Sequence, residues 1–137
     1  MAKFSMSADL KTSADSVWKA IGGFNALPDW HPAIEKSELE EEGQVRRLEL
    51  AGGGTVIEKL ESKDDGSRTY SYSITDSPLP VANYFATIKV TGEGDDCTVE
   101  WSGEFDPAAG ASMEDATAVV RGVYEIGLEN LKKLYGG

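Results

Sequence analysis

The hydrophobic pattern of this chain changes its period along the sequence, and the order of the changes restricts the fold more than any single motif. Residues 2–10 alternate between apolar and polar side chains, which is typical of a strand. Residues 12–24 carry apolar side chains at helical spacing, and several short alternating segments then follow. The last part of the chain returns to a helical period. The order is therefore strand, short helix, strand series and long helix.

Six predicted strands form the middle of the chain, and turn-forming residues rich in Gly, Asp, Asn, Ser and Pro separate them. Their ranges are 34–41, 45–50, 55–62, 69–75, 84–91 and 98–106. Strands joined by such short turns pair with their neighbours as hairpins, so the series predicts an antiparallel meander.

The final helix is predicted from an N-cap and an apolar stripe. Ser112 begins a Ser-x-x-Asp capping motif, and Thr12 or Ser13 is placed to cap the first helix in the same way. About 23 residues at ~1.5 Å per residue give a helix of ~34 Å, which is long enough to cross a whole sheet. The apolar stripe consists of Ala116, Val119, Val120, Val123, Tyr124, Gly127, Leu128 and Leu131. We therefore predict an α+β fold with a single domain over residues 1–137, in which a curved, seven-stranded antiparallel sheet wraps around the C-terminal helix.

The charge and the cysteine content argue against several classes of partner. A formal net charge of -11 repels nucleic acids and anionic membranes. No signal peptide and no apolar run of ~18 residues is visible, so we expect a cytoplasmic protein without stable membrane insertion, and a monomer by default. The single cysteine, Cys97, excludes an internal disulfide, and its neighbours Asp95 and Asp96 should raise its thiol pKa. We expect no metal and no cofactor.

Several segments together resemble the START-like, or SRPBCC, superfamily, and within it the bacterial polyketide cyclase/dehydrase-like group. They include "SADSVWKAIGGF", "LPDWHPAI", "SPLPVANYFATIKV" and "VEWSGEFDP". The resemblance covers essentially the whole chain. It implies the helix-grip fold and a cavity between sheet and C-terminal helix that binds apolar molecules such as lipids, sterols or polyketides. It also implies that a minority of such proteins are enzymes.

A polar cluster is predicted on the otherwise apolar inner face of the sheet. If residues 51–53 form the hairpin turn, Arg46 lies directly opposite Glu58, and Tyr72 falls beside Glu58 in the next strand. These groups could orient the polar end of a ligand or move a proton. Alternatively, Arg46 and Glu58 form an internal ion pair with no ligand, or a register shift of one residue sends one of them to solvent.

Aromatic residues and one histidine complete the candidate site. In the proline-braced segment 24–34, we expect Trp30 to close the rim of the cavity and to contact the ligand in preference to His31, which points either to solvent or to the cavity mouth. Each aromatic residue could instead simply fill the core. The candidate ligand-binding residues are Trp30, His31, Arg46, Glu58, Tyr72, Tyr84, Trp101, Phe105, Val120 and Tyr124.

Three functions are compatible with these features. The first is binding of a hydrophobic or amphipathic small molecule, such as a lipid, a polyketide or an aromatic metabolite. The second is a cyclase or dehydratase that uses His31, or Glu58 with Tyr72, as acid and base. The third is a co-chaperone-like interaction module, which ranks last because no exposed apolar stripe is visible in the sequence.

Overall fold

The computed structural model describes residues 2–136, and its strands and helices follow one another in the predicted order. The strands are β1 (Ala2–Leu10), β2 (Ile34–Glu40), β3 (Val45–Leu50), β4 (Thr55–Asp64), β5 (Thr69–Asp76), β6 (Val81–Thr91) and β7 (Cys97–Pro107). The α-helices are α1 (Ala14–Ile21), α2 (Leu27–Trp30) and α3 (Met113–Tyr135), and a 3-10 turn at Glu41–Gly43 follows β2.

All seven strands belong to one antiparallel sheet with the order β1-β7-β6-β5-β4-β3-β2. The first strand therefore pairs with the last one, while β2 to β7 pair in succession. Helix α3 packs on the inner face, mainly against β1 and β7. The predicted helix-grip fold, with a curved sheet around the C-terminal helix, is confirmed.

Serine side chains cap the two longer helices. The Ser13 hydroxyl accepts a hydrogen bond from the Ser16 amide at 3.2 Å, so Ser13 rather than Thr12 is the cap of α1. The Ser112 hydroxyl accepts from the Asp115 amide at 3.0 Å at the start of α3. Each cap satisfies one amide that has no partner within its helix.

The inner face of the sheet follows the predicted alternation. In β7, Val99, Trp101 and Phe105 are buried, whereas Phe85 of β6 points outward and is 42% exposed. Strand β6 begins three residues earlier than predicted, at Val81, and its pairing with β7 is interrupted between Ala82 and Phe85. This irregularity breaks the period of two, which explains why the alternation did not reveal the start of the strand.

The two helical glycines play different parts. A Cβ atom added to Gly127 would lie 2.7 Å from Cδ2 of His31 and 3.0 Å from the Trp101 ring, so this glycine permits close helix–sheet contact. At Gly122 an added Cβ would meet no atom within 4 Å. Of the two interpretations of these glycines, close packing therefore applies to Gly127.

Within residues 2–136, no helix combines the length and the apolar character that crossing a membrane requires.

Candidate functional site

A cavity of ≈ 50 Å³ lies on the inner face between the sheet and α3. Most of the side chains that surround it are aliphatic, and five are polar or aromatic: His31, Glu58, Tyr72, Tyr84 and Trp101. The aliphatic ones are Leu27, Ile34, Leu48, Leu50, Val56, Ile74, Leu79, Val81, Val119, Val120 and Val123. We call this the inner cavity.

The mouth of the inner cavity is marked by lining residues that are only half-buried. They come from the end of β3, the end of β5, the start of β6 with the connection before it, and the N-terminal half of α3. These residues are Leu50, Ile74, Leu79, Val81, Val119 and Val123. The opening therefore lies between the strand ends and the helix, where side chains have room to move.

A buried ion pair forms one wall of the inner cavity. The Glu58 Oε1 atom lies 2.8 Å from Nε and 2.6 Å from Nη2 of Arg46. Nη1 of Arg46 donates to the Phe24 carbonyl at 2.8 Å, and the guanidinium stacks on the rings of Phe24 and Tyr72, 4.2 and 4.9 Å from their centroids. Arg46 is completely buried behind the wall, whereas Glu58 lines the cavity.

The pairing of the strands explains this geometry and corrects part of the prediction. Arg46 lies directly opposite Glu58, as the hairpin turn predicts. The expected position of Tyr72 beside Glu58 is wrong: Tyr72 lies opposite Leu60, and Ile74 lies opposite Glu58. The register of β4 against β5 shifts at two points, which changes the pairing that a regular ladder would give. Tyr72 nevertheless reaches the ion pair through its ring.

The electrostatics of the pair follow from its burial. Burial raises the pKa of Glu58, although the Arg46 charge opposes the shift. Burial disfavours the charged form of Arg46, but Glu58, Tyr70 and Tyr72 together outweigh it and the pKa of Arg46 is raised. Both contacts to Arg46 use Oε1 of Glu58, and Oε2 makes no hydrogen bond within residues 2–136. Glu58 lines the inner cavity, and Oε2 remains available to accept a hydrogen bond.

A chain of hydroxyl groups runs from the cavity wall towards α3. Nε1 of Trp101 donates to the Tyr72 hydroxyl at 3.1 Å, the Tyr72 and Tyr84 hydroxyls are 3.5 Å apart, and those of Tyr84 and Tyr124 are 2.6 Å apart. Burial raises the pKa of Tyr72, Tyr84 and Tyr124. We call Tyr72, Tyr84 and Tyr124 the tyrosine cluster; its members are protonated hydrogen-bonding groups at neutral pH.

His31 is buried, and both of its ring nitrogens are bonded to the backbone. The side chain is only 1% exposed, so the alternative in which it points to solvent is wrong. Nε2 donates to the Val123 carbonyl at 2.7 Å, and Nδ1 accepts from the Ala33 amide at 3.2 Å. This arrangement requires the neutral ring, and burial lowers the pKa of His31. His31 thus ties the 24–34 segment to α3 and has no free nitrogen for acid–base chemistry.

Trp30 lies behind the cavity rather than at its rim. It is buried against Trp101, with the two ring centroids 5.5 Å apart, and its carbonyl accepts a hydrogen bond from the Asn130 side chain at 2.9 Å. Of the two neighbours, His31 rather than Trp30 lines the inner cavity, which reverses the order expected from sequence.

The ten candidate residues thus divide into two groups. Those that line the inner cavity are His31, Glu58, Tyr72, Tyr84, Trp101 and Val120, and those that lie behind it are Trp30, Arg46, Phe105 and Tyr124. Apart from Val120, the aliphatic lining residues were not among the candidates from sequence. For Leu79, in the connection between β5 and β6, no sequence signal was available.

Metal binding and thiol chemistry have little support in the described part of the chain. Among residues 2–136, no three His, Cys, Asp or Glu side chains are grouped so that they could hold a metal ion. Cys97 is buried at the start of β7, and burial together with Asp96 raises its thiol pKa, which disfavours the nucleophilic thiolate.

Comparison with known proteins gives three informative structural similarities. The protein XoxI from Bacillus cereus is 44% identical, with a TM-score of 0.95 over 98% of this chain and 96% of that one. The Zhui aromatase/cyclase from Streptomyces sp. R1128 is 17% identical (TM-score 0.79, 98% and 96% covered), and a START superfamily protein from Mycobacterium smegmatis is 12% identical (TM-score 0.73, 96% and 98% covered). The last two similarities show the fold alone.

No match was found among the curated proteins. The family model described as "Polyketide cyclase / dehydrase and lipid transport" matches residues 1–136. The chain therefore belongs to this polyketide cyclase/dehydrase and lipid transport family.

Proposed function

We propose that the protein binds a hydrophobic or amphipathic small molecule in the inner cavity. The observation that carries this proposal is an aliphatic cavity whose wall holds one carboxylate oxygen, Oε2 of Glu58, without a protein partner within residues 2–136. Apolar walls with a few convergent polar groups are typical of small-molecule sites. The family description, which includes lipid transport, supports the same class of ligand.

The inner cavity must widen to admit such a ligand. Its ≈ 50 Å³ is enough for water or a very small molecule, whereas sites for drug-sized ligands measure about 300–1,000 Å³. The half-buried residues at the mouth are the ones that can move at least cost, because they have open space on one side. We propose that a ligand enters there and displaces the Leu79 and Val81 side chains from α3.

The test uses opposite changes at one lining position. Val120 is buried on the cavity side of α3. Val120→Phe should fill the inner cavity and abolish binding of 2-methylnaphthalene, while Val120→Ala should enlarge it and preserve or strengthen binding. Binding is followed by NMR at the indole N–H of Trp101, which lines the cavity. Ile126→Phe, on the exposed side of α3, is the control and should bind like the wild type.

Protein purified without detergent would then be extracted and its bound small molecules identified by mass spectrometry. The proposal predicts apolar molecules in the wild-type extract and their loss from Val120→Phe. Equal binding of 2-methylnaphthalene by wild type and Val120→Phe would contradict a site in the inner cavity.

A second candidate function, acid–base catalysis on a polyketide-like or aromatic substrate, is favoured by one observation. Glu58 combines a raised pKa with an oxygen that remains available to accept a hydrogen bond, which suits a general base. Cyclisation and dehydration both require such a proton transfer. Glu58→Gln should then abolish turnover of a substrate that still binds, whereas unchanged turnover would remove Glu58 from the mechanism. The bonded nitrogens of His31 argue against it as the catalytic base.

A further inference from the structure

The polar wall of the inner cavity restricts the chemistry of what can bind there. Building on the proposed binding function, we infer that the inner cavity selects uncharged apolar molecules carrying a hydroxyl group, and that it rejects carboxylates. The selection comes from the buried Arg46–Glu58 pair, in which Glu58 lines the cavity and Arg46 does not.

Arg46 cannot serve as a receptor for a ligand carboxylate. Nε and Nη2 lie against Glu58, Nη1 donates to the Phe24 carbonyl, and the rings of Phe24 and Tyr72 cover the guanidinium. The side chain is 0% exposed and does not line the inner cavity. A fatty acid would therefore meet no cationic group among the residues that line this space.

Glu58 offers the ligand an acceptor only. Its residue is 6% exposed, one oxygen is held by Arg46, and Oε2 makes no hydrogen bond within the described chain. Because the guanidinium beside it stays charged, the carboxylate must carry the compensating negative charge. A hydrogen-bond donor on the ligand would supply the partner that this oxygen lacks within the described chain.

The charge balance excludes ionised ligands of either sign. Arg46 and Glu58 together are neutral, so a ligand carboxylate would bring an unpaired negative charge next to Glu58. A ligand ammonium would satisfy Glu58 but leave one net positive charge in an aliphatic cavity, where charge is poorly solvated. An uncharged hydrogen-bond donor on the ligand leaves the net charge of the site at zero.

The tyrosine cluster favours a hydroxyl among the neutral donors. Tyr72 lines the inner cavity, and its hydroxyl accepts from Trp101 and has only a long 3.5 Å contact with the Tyr84 hydroxyl. A ligand hydroxyl can donate to Glu58 and also accept a hydrogen bond from Tyr72, because it has both functions. An alcohol or a phenol fits these two residues in a way that a hydrocarbon or an ether does not.

The test ranks four probes of one ring system against the wild-type protein. They are 2-naphthol, 2-methylnaphthalene, 2-methoxynaphthalene and 2-naphthoate, titrated by NMR at the Trp101 indole N–H. We expect 2-naphthol to bind about tenfold or more tightly than 2-methoxynaphthalene, which cannot donate, and 2-naphthoate not to bind in the accessible range. Equal affinities of naphthol and its methyl ether, or tight binding of 2-naphthoate, would overturn the inference.

A double variant separates this inference from the proposed function. Arg46→Leu/Glu58→Leu removes both charges together, and such replacements of buried ion pairs are often tolerated. It should lower the affinity for 2-naphthol relative to that for 2-methylnaphthalene by about tenfold or more. If that ratio stays as in the wild type, the inference fails and the binding function stands. If the wild type binds none of the four probes, both fail.

Discussion

The inner face of the sheet has two halves that are covered differently. On one half, β1 and β7 lie under α3 at close contact, with glycines where the helix and the sheet approach each other. On the other half, β3, β4 and β5 carry the buried ion pair and much of the cavity lining. Helix α3 is long enough to cross the sheet but does not fill the interior, because its contacts are concentrated on the first and last strands. Helix α3 and the sheet approach each other most closely at β1 and β7, and the inner cavity lies beside this contact.

The largest expected effect is on the cavity half. Arg46→Ala leaves the Glu58 carboxylate buried without its partner, so we expect a loss of about 3–5 kcal/mol in the free energy of unfolding. Urea denaturation followed by circular dichroism measures it. The double variant Arg46→Leu/Glu58→Leu should recover most of this loss. Equal destabilisation by both variants would mean that packing, not charge compensation, holds this half together.

The next effect tests the helix-covered half. Gly127→Val places new atoms against His31 and Trp101, and we expect it to cost about 1–3 kcal/mol through overpacking. Gly122→Ala is the matched control in the same helix, because an added Cβ there meets no atom within 4 Å. It should stabilise the protein by up to about 1 kcal/mol. The same denaturation experiment measures both variants. An unchanged free energy of unfolding in Gly127→Val would refute close packing of this half.

The smallest effect concerns His31, which ties the 24–34 segment to α3. Burial holds the pKa of folded His31 below its ordinary value of about 6.5, so its neutral form stabilises the fold above that pH. Stability should fall as the pH drops below about 6.5, by at most about 1.4 kcal/mol per pH unit from this residue. In His31→Gln this component should disappear. Parallel denaturation curves at pH 7 and pH 5 measure the difference, and an identical pH dependence in both proteins would contradict it.

The parts of the molecule that are encoded locally could be predicted from the sequence. The strands follow the period of two, and the serine caps follow from spacing within one helical turn. The Arg46–Glu58 pair could be predicted because alternate residues of a strand share one face and the short turn sets the register of the hairpin. Tyr72 was misplaced because the register shifts between β4 and β5 have no marker in the residues themselves.

The parts that depend on distant contacts could not be predicted. His31 is hydrogen-bonded to the carbonyl of Val123, 92 residues further along the chain, and no local pattern predicts that partner. The cavity itself is the space that side chains from several elements fail to fill, so its lining emerges only from the assembled fold. This is why the aromatic candidates, chosen by size, included Trp30 and Phe105, which lie behind the wall.

The most direct measurement of the central claim is a crystal structure of the protein with 2-naphthol. The account predicts the ring in a widened inner cavity among Leu79, Val81 and Val120, with the ligand hydroxyl about 2.5–3.0 Å from Oε2 of Glu58. It also predicts that the Arg46–Glu58 pair remains intact. A ligand bound on the outer surface with the inner cavity unchanged, or a hydroxyl turned away from Glu58, would contradict it.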